Sequence, residues 1–149
     1  MKLKTGTWIV VAYGARGMVL VNEGTVDAPE LKTLRVYNQH SPRTSELGDD
    51  KPGRSFESAG ARRSAMEAPD LHQRAEDRFV SGIMDDLAKD AAAKAFERVV
   101  IVAPPVALGA MRKAAADSLA AKVAAWIDKD YTKEPVPEIA KAVKRALEE

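Results

Sequence analysis

Arginine is the residue type whose placement most suggests chemistry. Of eleven arginines, six (Arg43, Arg54, Arg62, Arg63, Arg74 and Arg78) fall between residues 43 and 78, where Lys51 is the only one of the twelve lysines. A guanidinium presents a planar fork that grips a phosphate or carboxylate through two parallel hydrogen bonds, which an ammonium cannot do. The same stretch holds eight acids, so local ion pairing competes with an anionic partner for these side chains. Phe56 stands among them and is of a type that stacks on an unpaired base.

Other candidate chemistry is thinner. His40 and His72 are the two histidines, and neither sits in a recognisable nucleophile–base arrangement. No G-x-S-x-G elbow is present. Asp49–Asp50 lacks the spacing of a calcium loop, and "DDKPGRS" lacks that of a phosphate-binding P-loop. "YGARG" carries G-x-x-G between two strands and does not open a helix, which excludes a dinucleotide fingerprint. Two-metal nuclease chemistry needs carboxylates converging from central strands. Residues 7 to 12 hold no acid, leaving Asp128 and Asp130 as weak later candidates. With no cysteine, thiolate metal sites and disulfides are impossible. No catalytic residue, metal or cofactor is therefore assigned from the sequence.

Composition sets the outer bounds. A chain of 149 residues with 46% hydrophobic and 30% charged residues reads as one domain, 1–149, able to bury a core unaided. The net charge of +1 exerts no global pull toward nucleic acid or membrane. The apolar run near the amino terminus, Trp8 to Ala12, is too short for a signal-peptide core, and nothing approaches a bilayer span. A cytoplasmic protein without membrane contact is the expectation.

The elements that must position these residues follow from periodicity. "TWIVVA" and "MVLVN" flank a short glycine-bearing turn and predict a hairpin. "LKTLRVYNQ" alternates, with Leu34, Val36 and Asn38 on one face and Thr33, Arg35 and Tyr37 on the other, predicting a third strand. Residues 41–69 lose the pattern and predict a long arginine-rich loop. Asp70 then reads as an N-cap with Gln73 in the capping-box position. Leu71, Ala75, Phe79, Ile83, Leu87 and Ala91 recur every four residues along a long helix. "RVVIVAP" predicts a buried strand, and Pro105 opens a helix carrying Leu108, Met111 and Ala115 inward. "SLAAKVAAWIDKDYT" is ambiguous: alanine favours helix, while Val123, Ala125 and Ile127 alternate as in a strand. An amphipathic helix with Ile139, Ala142, Val143, Ala146 and Leu147 closes the chain.

This order, and the segments "WIVVAYGARGMVLV" (8–21), "DDKPGRSFES" (49–58), "ARRSAMEAPDLHQRAEDRF" (61–79), "VIVAPPVALGAMR" (100–112) and "WIDKDYT" (126–132), resemble the host attachment family. Its members are described as required for attachment to host cells and are grouped with bacterial and archaeal relatives of the central domain of eukaryotic-type release factors. The resemblance implies an α/β fold with a mixed five-stranded sheet flanked by helices, ribonuclease H-like, in which "KVAAWIDKDYT" is a strand. Release factors carry Gly-Gly-Gln in the loop before the long helix. Here that place holds "KPGRSFESAGARR", so peptidyl-tRNA hydrolysis by that motif is not implied. Tyr13 stands where the family commonly has aspartate. The resemblance implies a non-enzymatic module contacting RNA or the ribosome, with Arg54, Ser55, Phe56, Arg62 and Arg63 as the contact residues. The other expectation is a protein-interaction or assembly module, homodimeric or with another protein, linked only indirectly to attachment.

Overall fold

The structure, a computed structural model, describes residues 2–39 and 53–148, and for residues 53–70 the backbone alone. Strands β1 (Trp8–Tyr13) and β2 (Arg16–Asn22) form an antiparallel hairpin, and β3 (Leu31–Asn38) pairs antiparallel with β2. Strands β4 (Val99–Ala103) and β5 (Val123–Asp128) extend the sheet on the other side of β1, parallel to it. The order is β3-β2-β1-β4-β5. The helices are α1 (Gly53–Ala92), α2 (Pro105–Ala114), the single turn α3 (Asp117–Ala120) and α4 (Val136–Glu148). This is the expected α/β fold with a mixed five-stranded sheet.

β1 and β4 are near-continuous apolar runs because both of their faces are covered. On one face Val10, Ala12, Val19 and Ile101 pack with Val80, Ile83, Met84 and Leu87 of α1 and with Leu108 and Met111 of α2. On the other, Ile9, Val11, Leu20 and Val102 pack with Leu3 and with Ile139, Val143 and Leu147 of α4. Three layers result, with α4 the one helix on its side among the described residues.

Two strands depart from simple alternation. The β2–β3 register shifts between Val19 and Leu20, leaving Leu34 as the extra residue on β3. Arg35 and Tyr37 consequently face α1, while Thr33, opposite Leu20, falls on the α4 side. The expected grouping of Thr33 with Arg35 and Tyr37 is corrected by this bulge, because one inserted residue flips every side chain beyond it. A second shift, between Val99 and Val100, does the same to β5. Val123 and Trp126 pack with the α1–α2 layer, and Ala125 and Ile127 with the α4 layer. The ambiguous alanine-rich stretch is thus divided, a helical turn at Asp117–Ala120 and a strand at Val123–Asp128. Parallel pairing to β4 outweighs alanine's helix propensity there.

The long helix differs most from expectation. It starts at Gly53, so the loop predicted for 41–69 is helical from 53 onward, and residues 40–52 lie outside those described. Asp70 is an interior position and not an N-cap. Gln73 makes no capping bond and donates through Nε2 to Asp77 Oδ1 at 2.8 Å, one turn along. Proline is a helix breaker by type, yet most of the run Ser55–Ala68 before Pro69 is alanine, arginine, methionine and glutamate, which favour helix. The four-residue stripe also fails at its start. A repeat of four drifts about 40° per step from the helical period, so six members cannot share one face. Ile83, Leu87 and Ala91 are buried, whereas Leu71 is 47% exposed.

The far end of α1 is sharply closed. Ala95 N–H donates to Asp90 O and Lys94 N–H to Ala91 O, the paired bonds of a Schellman cap. Lys94 occupies its left-handed position at φ 60°, where glycine is usual. Just inside the cap, Arg35 reaches from β3 to both Asp90 carboxylate oxygens, at 3.3 and 2.5 Å. Its guanidinium lies 5.8 Å from the Trp8 ring and 5.7 Å from that of Tyr37, and the Tyr37 hydroxyl donates to Asp86 Oδ2 at 2.7 Å. Strand β3 therefore clamps the last turns of α1.

Candidate nucleic-acid interface at the carboxyl edge of the sheet

Strands β1, β3, β4 and β5 run in one direction, so their carboxyl ends gather at one edge. In open α/β sheets this edge is where loops form ligand crevices. Here it carries the Gly14–Ala15 turn, Gln39, the Pro104–Pro105 start of α2 and the 129–135 connection into α4. Gln39 ties β3 to the turn by donating its amide to Ala15 O at 2.9 Å. Helix α1 crosses the same turn closely: a Cβ at Gly14 would lie 2.4 Å from Glu76 Cδ. A residue without a side chain is what allows that approach.

The 129–135 connection is shaped by Asp130. Its Oδ1 accepts from the Thr132 amide at 3.0 Å and from the Thr132 hydroxyl at 2.5 Å. An acid of a type suited to metal chemistry is thereby engaged in forming its own loop. Among the described residues no group of three or more histidines or acids is placed to hold a metal ion.

Two depressions flank the edge. Between α1 and α2 lies a trench of about 580 Å³ whose walls include Gln73, Asp77 and Ser81 on one side and Val106, Gly109 and Lys113 on the other. Val106 there is 64% exposed. On the α4 side a groove of about 540 Å³ is bounded by Tyr13, Arg16 and Met18 and, across from them, by Thr132, Lys133, Glu134, Pro135 and Val136. Tyr13 and Arg16 are direct partners in the hairpin and so share a face of the sheet. Two arginines are committed elsewhere in the fold, Arg35 held by Asp90 and Arg112 laid over Trp126 at 5.0 Å. Among the described residues, the side chains of Arg16, Lys133 and Tyr13 have neither an ion-pair nor a hydrogen-bond partner.

The residues singled out from the sequence fall mainly on α1. Arg54, Ser55, Phe56, Arg62 and Arg63 lie on its helical backbone, and their side chains lie outside those described, as do Arg43 and His40 altogether. Arg74 and Arg78, further along, are exposed, as is His72. The groove on the α4 side escapes sequence reasoning, because Arg16 and Lys133 are 117 positions apart and only the β1–α4 layering brings them together. Tyr13 draws notice in the sequence as a departure from a family pattern and not as a wall of a cavity.

Among the described residues no helix is long and apolar enough to cross a membrane. Comparison with curated proteins finds no match. The family-level comparison supports the release-factor relationship and not a role in attachment to host cells. The model that matches covers residues 6–143, from two residues before β1 to the middle of α4, and the chain belongs to bacterial archaeo-eukaryotic release factor family 12.

Proposed function

We propose that the protein is a non-enzymatic, release-factor-like module that contacts ribosomal RNA with the arginine-rich amino-terminal half of α1. The observation that carries this is the length of that helix. Forty residues at 1.5 Å each make about 60 Å, whereas strands of five to eight residues reach about 17–27 Å. Among residues with described side chains, those of α1 that enter the core run from Phe79 to Ala91. A helix so much longer than its sheet has length to spare for a partner. The spare length holds Arg54, Arg62 and Arg63, whose fork geometry suits backbone phosphates, and Phe56, suited to stacking. Family membership and the strand order with its antiparallel β2 support the ribonuclease H-like, release-factor-central-domain reading. The missing Gly-Gly-Gln argues against hydrolysis of peptidyl-tRNA.

The test is co-sedimentation with ribosomes. Wild-type protein should travel with the ribosomal fraction at low salt and partly at physiological salt, and Arg54→Ala/Arg62→Ala/Arg63→Ala should release it. Background levels at both salts for the wild type would end the proposal. A protein-interaction module is the second reading, favoured by the exposed Val106 and Leu71 on neighbouring helices. Partners captured equally with and without nuclease, and insensitive to Arg54→Ala, would support it instead.

A further inference from the structure

The groove on the α4 side lies at the carboxyl edge where Glu76 of α1 passes the Gly14 turn, but on the opposite face of the sheet. Two cations and a phenol border it without partners among the described residues, opposed by one carboxylate, Glu134. Its bias toward anions comes from side chains and not from the α4 terminus. Pro135 and Pro137 lack N–H groups, and the amides of Glu138 and Ile139 are already bonded to Pro135 O. Tyr13, half-buried at the end of β1, offers a ring wall beside the guanidinium. About 540 Å³ suits a small polar ligand and exceeds what a bare inorganic anion needs. A nucleotide combines the two features that fit these walls, a phosphate for a cation pair and a flat base for an aromatic ring.

We propose that the groove between the β1–β2 turn and the 129–135 connection binds one nucleotide of a single-stranded RNA, its phosphate held by Arg16 and Lys133 and its base against Tyr13. This rests on the RNA-contact reading and names a second contact point for the same strand, across the edge from α1. Arg16 opens β2 while Lys133 follows the loop that Asp130 shapes through Thr132, so the backbone that carries each exposed cation is fixed. Met18 and Val136 give the groove an apolar floor.

The experiment is fluorescence anisotropy with a labelled decauridylate from 50 to 200 mM salt, on wild type, Arg16→Ala/Lys133→Ala, Tyr13→Ala and Arg54→Ala/Arg62→Ala/Arg63→Ala. Each phosphate of a single strand that is neutralised contributes about 0.7 to the log–log salt slope, so the groove double variant, whose two cations share one phosphate, should flatten it by about 0.7. Tyr13→Ala should weaken binding about fivefold or more with its slope unchanged. Arg16→Lys should keep most of the slope, which a folding defect would not allow. If the wild type binds and only the α1 variant weakens it, the groove proposal is overturned while the proposed function stands. If the wild type does not bind decauridylate at all, the groove proposal is overturned, and the proposed function is judged separately by co-sedimentation with ribosomes. Where the wild type binds, amide NMR with uridine 5′-monophosphate places the contact: shifts at Tyr13, Arg16, Thr132 and Lys133 uphold the groove, and their absence overturns it.

Discussion

Asn22 shows how one polar side chain can organise a fold. It is fully buried at the end of β2, donates through Nδ2 to Leu3 O at 3.1 Å, and accepts the amides of Gly24 and Glu30 on Oδ1 at 2.9 and 3.0 Å. Asn22→Ala leaves two amides and a carbonyl unmatched. Only the carbonyl contact is fully buried and the two amides are partly so, so at about 1–3 kcal/mol for a buried group left unsatisfied the change should cost about 2–4 kcal/mol in urea denaturation. Tyr37 makes a different prediction. Burial, and then the hydrogen bond it gives Asp86, hold its phenol well above the ordinary range. The unfolded phenol ionises near about pH 10 while the folded one resists. Its stabilising contribution is therefore complete below about pH 10 and declines as pH rises from there. The urea midpoint of wild type should fall more steeply above that pH than the midpoint of Tyr37→Phe. Neither role is legible in the sequence. Asn22 reads as the last residue of a strand and Tyr37 as one of an alternating pair, because their partners lie at other places in the chain.

At the scale of elements, the sequence shows the apolar pattern of every strand and most helices, and misleads where local rules conflict. Pro69 and the lack of periodicity over 53–68 argue for a loop, yet the backbone there is helical. Alternation in β3 and β5 points correctly to strand but with the wrong facing, since a bulge leaves no mark in a pattern of two. The helix end is hidden for the same kind of reason: Lys94 fills a position for which glycine is the usual signal. Lys94→Gly should raise stability by about 1 kcal/mol, read as a higher thermal midpoint, because it relieves a left-handed conformation. Gly17→Ala should act in the opposite sense. Its new methyl would lie 2.7 Å from Ile83 Cδ1 in the core, and overpacking of this kind costs about 1–3 kcal/mol.

For the whole molecule, the α/β class and the mixed five-stranded sheet are readable from element order, and family membership agrees with the release-factor part of the resemblance carried by the motifs. Less readable is the site. The arginine cluster declares itself by composition, whereas the α4-side groove exists only through the stacking of layers. Net charge completes the contrast. At +1 the protein has little general affinity for polyanions, so any RNA binding must come from local geometry. Removing Arg54, Arg62 and Arg63 takes the net charge from +1 to −2 (+1 minus 3). If all three touch phosphate, the salt slope for a single strand should fall by about 2. A smaller change would mean that some of them are held by neighbouring acids.

The clamp on α1 has a mechanical consequence. A rod of about 60 Å, packed on the sheet and α2 through Phe79–Ala91, is tied to β3 near its carboxyl tip by Arg35 and Tyr37 and acts as a lever on that strand. That strand is an outer one, bonded to a neighbour on a single side. Torque delivered to the amino-terminal half of α1 by a large partner would strain this outer strand, so its amides should be the earliest in the sheet to exchange with deuterium when such a partner docks.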